Sequence, residues 1–322
     1  MKSQDFTYAV SRIRMKETKL FSKKEIDRLV SQKDYPSVIR TLQELGFGSE
    51  KANDNTDILS AEQNKLWALM AELVEDMSVF DVFRLQNDYH NLKVSVKSVY
   101  SDTEPSSMLI SGGTLDGKEL FELVKNREYK ELPESLGDTA AFSLDTLLKT
   151  GDGQLCDAVI DKACLDAVSD FAKKATDEVI KDYAELFVAS ADIKIAVRGS
   201  KLNKSLEFFN KALADCSTLD TETLSRCAVK GFDEICAYLG TTKYKDAVSY
   251  IKKSMSSFEK WCDDLLINGM KKQKSEPFTI GPLVAYILAK QNEIKAVRLI
   301  MIAKLNGLDD SKINERIREM YV

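Results

Sequence analysis

Apolar residues recur along most of this chain at intervals of three and four, the period of a helix that buries one stripe. The clearest case lies within 154–198. There Leu155, Val159, Val168, Phe171, Ala175, Val179, Tyr183, Leu186 and Phe187 fall at threes, fours or small multiples of these, with Asp, Glu and Lys opposite. No Gly or Pro interrupts that stretch, nor 49–104, 241–268 or 283–306. Runs this long without a breaker predict helices. Unbroken, 154–198 would extend roughly 65 Å at 1.5 Å per residue, so a kink or an elongated molecule is expected. Two starts are marked by capping boxes, Ser22-Lys23-Lys24-Glu25 and Ser60-Ala61-Glu62-Gln63. Breaks are expected at 46–56, 101–117, 132–153 and 271–282. Strand-like alternation is confined to one candidate, Leu92 to Tyr100 (LKVSVKSVY).

Laid against itself, the chain repeats. FRLQNDYHNLK (83–93), AELFVASADIK (184–194) and AYILAKQNEIK (285–295) align without gaps, each 101 residues after the last. All three close on a polar or acidic residue, an aliphatic and a lysine: Asn91-Leu92-Lys93, Asp192-Ile193-Lys194, Glu293-Ile294-Lys295. A second cation follows each, at Lys97, Arg198 and Arg298. A weaker echo, Leu-(x)5-Tyr, occurs at Leu29/Tyr35 and Leu123/Tyr129. The reading is an all-α protein of three similar helical units of about 100 residues, each large enough for its own core, with limits at 1–112, 113–200 and 201–322. Three copies around an axis give a ring, cup or funnel; a linear array is the alternative.

Composition narrows the function classes. The chain has 322 residues, 44% hydrophobic and 30% charged, with a net charge of −5. An acidic chain lacks the basic face that nucleic-acid binding needs. Its six cysteines form no C-x-x-C pair and His90 is its single histidine, so zinc-type spacing is absent. The cysteines read as thiols of a reducing compartment. No signal peptide is visible, and Ile280 to Ala289, the longest uncharged apolar run, is half the length of a membrane span.

One motif imitates a phosphate loop. Gly112 to Lys118 has the spacing G-x-x-x-x-G-K, but Glu119 stands where a Ser or Thr must hold magnesium, and its carboxylate would repel phosphate. A glycine-rich connection between helices is the better reading. No catalytic triad or metal signature occurs, and no catalytic residue, cofactor or metal is expected. The basic run Lys271-Lys272-Gln273-Lys274 reads as a solvated loop rather than a lipid contact. Lys93, Lys97, Lys194, Arg198, Lys295 and Arg298 are the candidate partner contacts, against the plainer reading of surface charge.

The N-terminal pattern Tyr8, Arg12, Arg14, Glu17, Leu20, then Ile26 and Leu29, resembles the opening of the C-type subunit of V-type ATPases, whose eukaryotic counterpart is the d-type subunit. Asp88-Tyr89-His90-Asn91-Leu92-Lys93 is similar to that family's D-x-x-N-x-K signature. Ile280 to Leu288, continuing through Glu293 to Arg298, is similar to its closing segment. The match runs in order over the whole chain and is thinnest over 101–180. The resemblance implies three helical domains around a pseudo-threefold axis, forming a funnel on the cytoplasmic face of a membrane. It implies a non-catalytic central-stalk socket joining the rotor axle (D- and F-type subunits) to the membrane ring of proteolipid subunits. Torque would pass through it for proton or sodium transport. A generic helical scaffold or adaptor is the alternative.

Overall fold

In a computed structural model, residues 6–48, 55–105 and 108–322 are described. Every regular element among them is helical, in the order α1 (Thr7–Glu17), α2 (Lys23–Val30), α3 (Tyr35–Glu44), α4 (Asn55–Leu73), α5 (Asp81–Ser101), α6 (Gly117–Asn126), α7 (Glu134–Thr150), α8 (Gly153–Lys174), α9 (Glu178–Lys201), α10 (Leu206–Ala212), α11 (Thr221–Lys230), α12 (Phe232–Leu239), α13 (Ala247–Lys253), α14 (Met255–Met270), α15 (Gly281–Leu305) and α16 (Asp310–Asn314). The chain forms two compact units, one of 1–77 with 253–322 and one of 78–252. The boundaries expected at 112 and 200 both fall inside the second unit, and the first draws on both ends of the chain.

In the first unit α1, α2, α3, α4 and α14 all pack on α15. Its core joins Ile26, Leu29, Val38, Leu42 and Ile58 to Ile294, Val297, Ile300 and Met301. Burying each such side chain stabilises by about 1.5–3 kcal/mol. From Gly281 to Ala289 α15 is buried on every side, which suits a run of apolar residues too short for a bilayer but fit for a central helix. Pro282 stands in its first turn, where its missing N–H leaves nothing unsatisfied. In the second unit α5 packs against α6, α7 and α8, and α9 against α8, α10, α11 and α12. One core of that unit gathers Tyr89, Leu92, Val96, Leu120, Val124, Leu136, Leu144 and Ile160.

Several local expectations are met for their stated reasons. Ser22 and Glu25 form the capping box of α2. The run 154–198 breaks at 175–177, where Ala175 turns extended and the Asp177 carboxylate accepts from the Val179 N–H to start α9. Three differ. Leu92 to Tyr100 is the second half of α5, not a strand: Leu92, Ser95, Val96 and Ser98 are buried together, so small serines complete a helical face that reads as alternation. Ser60 lies inside α4, not at its start. Most of 132–153 is α7, begun after Pro133 and closed by Gly151 at φ +65°, so Pro133 and Gly151 bound a helix instead of replacing it, and Gly137 lies within it. The break expected at 46–56 lies largely outside the described residues.

Candidate functional site: polar straps on the repeat helices

The repeated segments 83–93, 184–194 and 285–295 all lie within long helices, α5, α9 and α15. The polar residue that opens the repeated triplet is buried in each: Asn91, Asp192 and Glu293 are all 0% exposed. Each accepts a hydrogen bond from the backbone of a non-helical segment. Asn91 Oδ1 takes the Ile110 N–H at 2.9 Å while its Nδ2 donates to the Ile110 carbonyl at 2.9 Å. Asp192 Oδ1 takes the Ala214 N–H at 3.1 Å. Glu293 Oε2 takes the Phe21 N–H at 2.6 Å. A helix that holds an irregular segment this way supplies the partners the segment's buried amides would otherwise lack.

Further groups extend each strap. On α5, Asp88 accepts from the Thr114 N–H and hydroxyl at 3.0 and 2.6 Å and from the Leu115 N–H at 3.2 Å, and Arg84 donates to the Gly113 carbonyl at 2.8 Å. Gly113 and Gly117 are required by close approach. A Cβ at Gly113 would lie 2.2 Å from Asp88 Oδ1, and one at Gly117 2.9 Å from Asn91 Nδ2. Gly112, the first glycine of the phosphate-loop spacing, turns the chain at φ +84°, and Gly117, the second, is held by the close approach of Asn91. The Thr114 and Leu115 amides face the Asp88 carboxylate, and the first amides of α6 are capped by Asp116. Burial raises the Asp88 carboxyl above its ordinary range, against those hydrogen bonds. On α9, Glu185 accepts from the Ser217 and Thr218 amides at 3.1 and 2.8 Å and from the Thr218 hydroxyl.

The α15 strap carries a buried charge network. Lys290, one turn before Glu293, lies 2.5 Å from it and 2.6 Å from Glu62 of α4. Glu62 also accepts from Lys65 at 2.6 Å and from the Gly48 N–H at 2.9 Å. The Lys290 ammonium sits 5.0 Å from the centre of the Phe47 ring. Burial is the largest influence on all three groups. It holds Glu293 above the usual carboxylate range. For Glu62 it is outweighed by Lys290, Lys65 and the Gly48 amide, leaving the carboxyl lowered. For Lys290 it is outweighed by the two carboxylates, leaving the ammonium raised.

The six candidate cations divide among these helices. Lys93 and Lys97 project from adjacent turns of α5 and pair with Asp161 at 2.5 Å and Asp157 at 2.7 Å on α8. Lys295 pairs with Asp263 of α14 at 3.2 Å, which also accepts from Arg318 at 2.9 Å. Lys194 is half-buried; Arg198 and Arg298 are exposed. Lys93, Lys97 and Lys295 are thus engaged in helix-to-helix ion pairs within their own unit. Lys271 pairs with Glu319 at 2.9 Å, and Lys274 lies 4.8 Å from the centre of the Tyr321 ring, so half of the basic run is held by the C-terminal segment. His90 is exposed, with Nε2 3.2 Å from the Met108 carbonyl.

The buried polar residue of the triplet is the one two before its lysine, not the lysine. The signal was present: Asp192 stands in register with Ala184, Val188 and Ala196 at intervals of four, on the buried stripe of its own helix.

A family model for the ATP synthase (C/AC39) subunit matches residues 9–316. Among curated proteins the chain is 22% identical to the C-type subunit of the V-type sodium ATPase of Enterococcus hirae, over 96% of this chain and 97% of that one. It is 22% identical to the C-type subunit of the A-type ATP synthase of Methanocaldococcus jannaschii, over 96% of this chain and 85% of that one. For the corresponding A-type ATP synthase protein of Methanobrevibacter smithii the identity is 26%, over 95% and 86%.

Proposed function

The chain belongs to the ATP synthase (C/AC39) subunit family, and on that premise we propose that it is the non-catalytic central-stalk socket of a rotary ATPase. In this reading it joins a D- and F-type axle to a membrane ring of proteolipid subunits, at the cytoplasmic face, and passes torque between them for proton or sodium transport. No helix among the described residues is long and apolar enough to cross a membrane, so the ring contact is made at its surface. The observation that carries the reading is the family match from residue 9 to 316, across both compact units.

The straps supply a physical reason for the fit. A torque-bearing part must be stiff, and close-packed helices transmit strain. Each repeat helix is tied to the segment beside it by buried hydrogen bonds whose loss would leave amides unpaired, at about 1–3 kcal/mol each. We take α5, α9 and α15 as the spines of three units set around a pseudo-threefold axis to form a funnel, the third closed by the N-terminal segment returning to α15. Lys93, Lys97, Lys194, Arg198, Lys295 and Arg298 are the cations offered to the axle or the ring.

The test is capture of the purified axle subunits and, separately, of the detergent-solubilised ring. Binding to both is expected, and combined charge reversal at Lys194, Arg198 and Arg298 should weaken one. Binding to neither by a chain that is helical in circular dichroism would leave a generic helical scaffold.

A further inference from the structure

The three straps share a position but differ in charge. Asn91 is a neutral amide. Glu293 is neutralised by Lys290. Asp192 has neither device: the residue one turn earlier, where α15 carries Lys290, is Ala189. Asp192 is fully buried, its single hydrogen bond comes from the Ala214 N–H, and its Oδ2 has no partner among the described residues. The charged groups that act on it are Lys162 and Asp166 of α8 and Asp215 of the following segment, with the Cys216 thiol beside it. Lys162 is committed to both oxygens of Asp166, at 2.9 and 2.8 Å. Glu207 pairs with Lys211 within α10 and Glu222 with Arg226 within α11, both at the surface, and Lys230 of α11 and Asp233 and Glu234 of α12 are exposed, away from the core. A buried carboxylate with one hydrogen bond and no cation is far costlier than the neutral acid.

We propose that Asp192 is held as the neutral acid, and that its ionisation above neutral pH loosens the 213–220 segment from α9, making the middle strap the pH-sensitive one. Burial, opposed only in part by the Ala214 amide and Lys162, pushes this carboxyl up to about 8. The folded value lies above the unfolded one, so the contribution to stability is complete below about pH 4 and is lost as pH rises to about 8. Within that window one bound proton changes the folded-to-unfolded ratio about tenfold per pH unit.

Hydrogen exchange of the full chain, from pH 6 to 9.5 and corrected for base catalysis, reads this directly. Protection of the Ala214 amide should fall roughly tenfold or more relative to the Ile110 and Phe21 amides, whose acceptors are an amide and a paired carboxylate. Asp192→Asn should abolish that relative fall and flatten the pH dependence of the urea midpoint. Infrared spectra of the wild type give a second reading that needs no variant: a protonated-carboxyl band present at pH 6 should bleach by pH 9.5. A constant Ala214-to-Phe21 protection ratio, or no such band at pH 6, overturns the proposal.

Discussion

The straps on α15 and α9 meet one problem in different ways. Each buries an acidic side chain to hold a loop amide. On α15 the acid is joined by Lys290, Glu62 and Lys65, four charges that sum to zero. On α9 the acid has no cation paired with it, since Lys162 is bound to Asp166, and it is left to its proton. The ion-paired solution fixes α15 to α4 through a group that must be desolvated with it. The protonated one costs less to bury but depends on pH. Geometry was kept across the repeats while the means of neutralisation was not, because an amide needs an acceptor of either charge state.

The largest effect should come from removing the cation of the paired strap. Lys290→Met leaves Glu293 and Glu62 buried facing each other, at about 3–5 kcal/mol, read as a lowered urea midpoint. Adding Glu293→Gln should recover part of that loss. A change in midpoint equivalent to under about 1 kcal/mol for the single variant would mean the network is wetter than its burial indicates. Next, Asn91→Asp should convert the first strap to the chemistry of the second. It loses the bond to the Ile110 carbonyl and gains a buried acid, at about 1–3 kcal/mol near neutral pH. A carboxyl raised on folding is stabilised at low pH, so the penalty should shrink towards pH 4 and grow upward. A pH-independent penalty would count against burial as its cause.

Gly113→Ala should cost about 1–3 kcal/mol, because its Cβ meets Asp88 and loop backbone together. The control is Gly269→Ala at the exposed end of α14, where nothing stands within 4 Å and a gain of about 0.5 kcal/mol is expected. Thermal melts of the pair check it; equal effects would show that the Gly113 contact relaxes freely. Smallest of all, Lys295→Ala should change stability by about 0.5 kcal/mol or less, since its ion pair is solvent-exposed. If it proves strongly destabilising, the cation is structural rather than available to a partner.

Much of this was legible in the residues. The repeat at 101-residue spacing located the helices α5, α9 and α15, because a helix that must bury one face against its neighbours keeps a fixed pattern. The glycine-rich loop was legible as a connection from Glu119 alone. Less legible was α7, whose Gly137 marks the close approach of the Tyr129 carbonyl, 2.3 Å from where a Cβ would be. In sequence that glycine is indistinguishable from a breaker. The union of 1–77 with 253–322 in one compact unit was illegible too, since segments so far apart in sequence carry no local sign that they meet.

By itself the sequence determined the helical class, the repeat, the α2 cap and the family likeness, all of which rest on residue types and their spacing along the chain. Only the tertiary structure decided which backbone amides the polar residue of each triplet holds. It also decided that Phe21 lies against Glu293 across 272 residues, and that Glu62 and Lys290 share one buried site. Those outcomes depend on which desolvated groups meet across packed helices. Charge in a buried site is governed by its neighbours in space, and local spacing does not encode them.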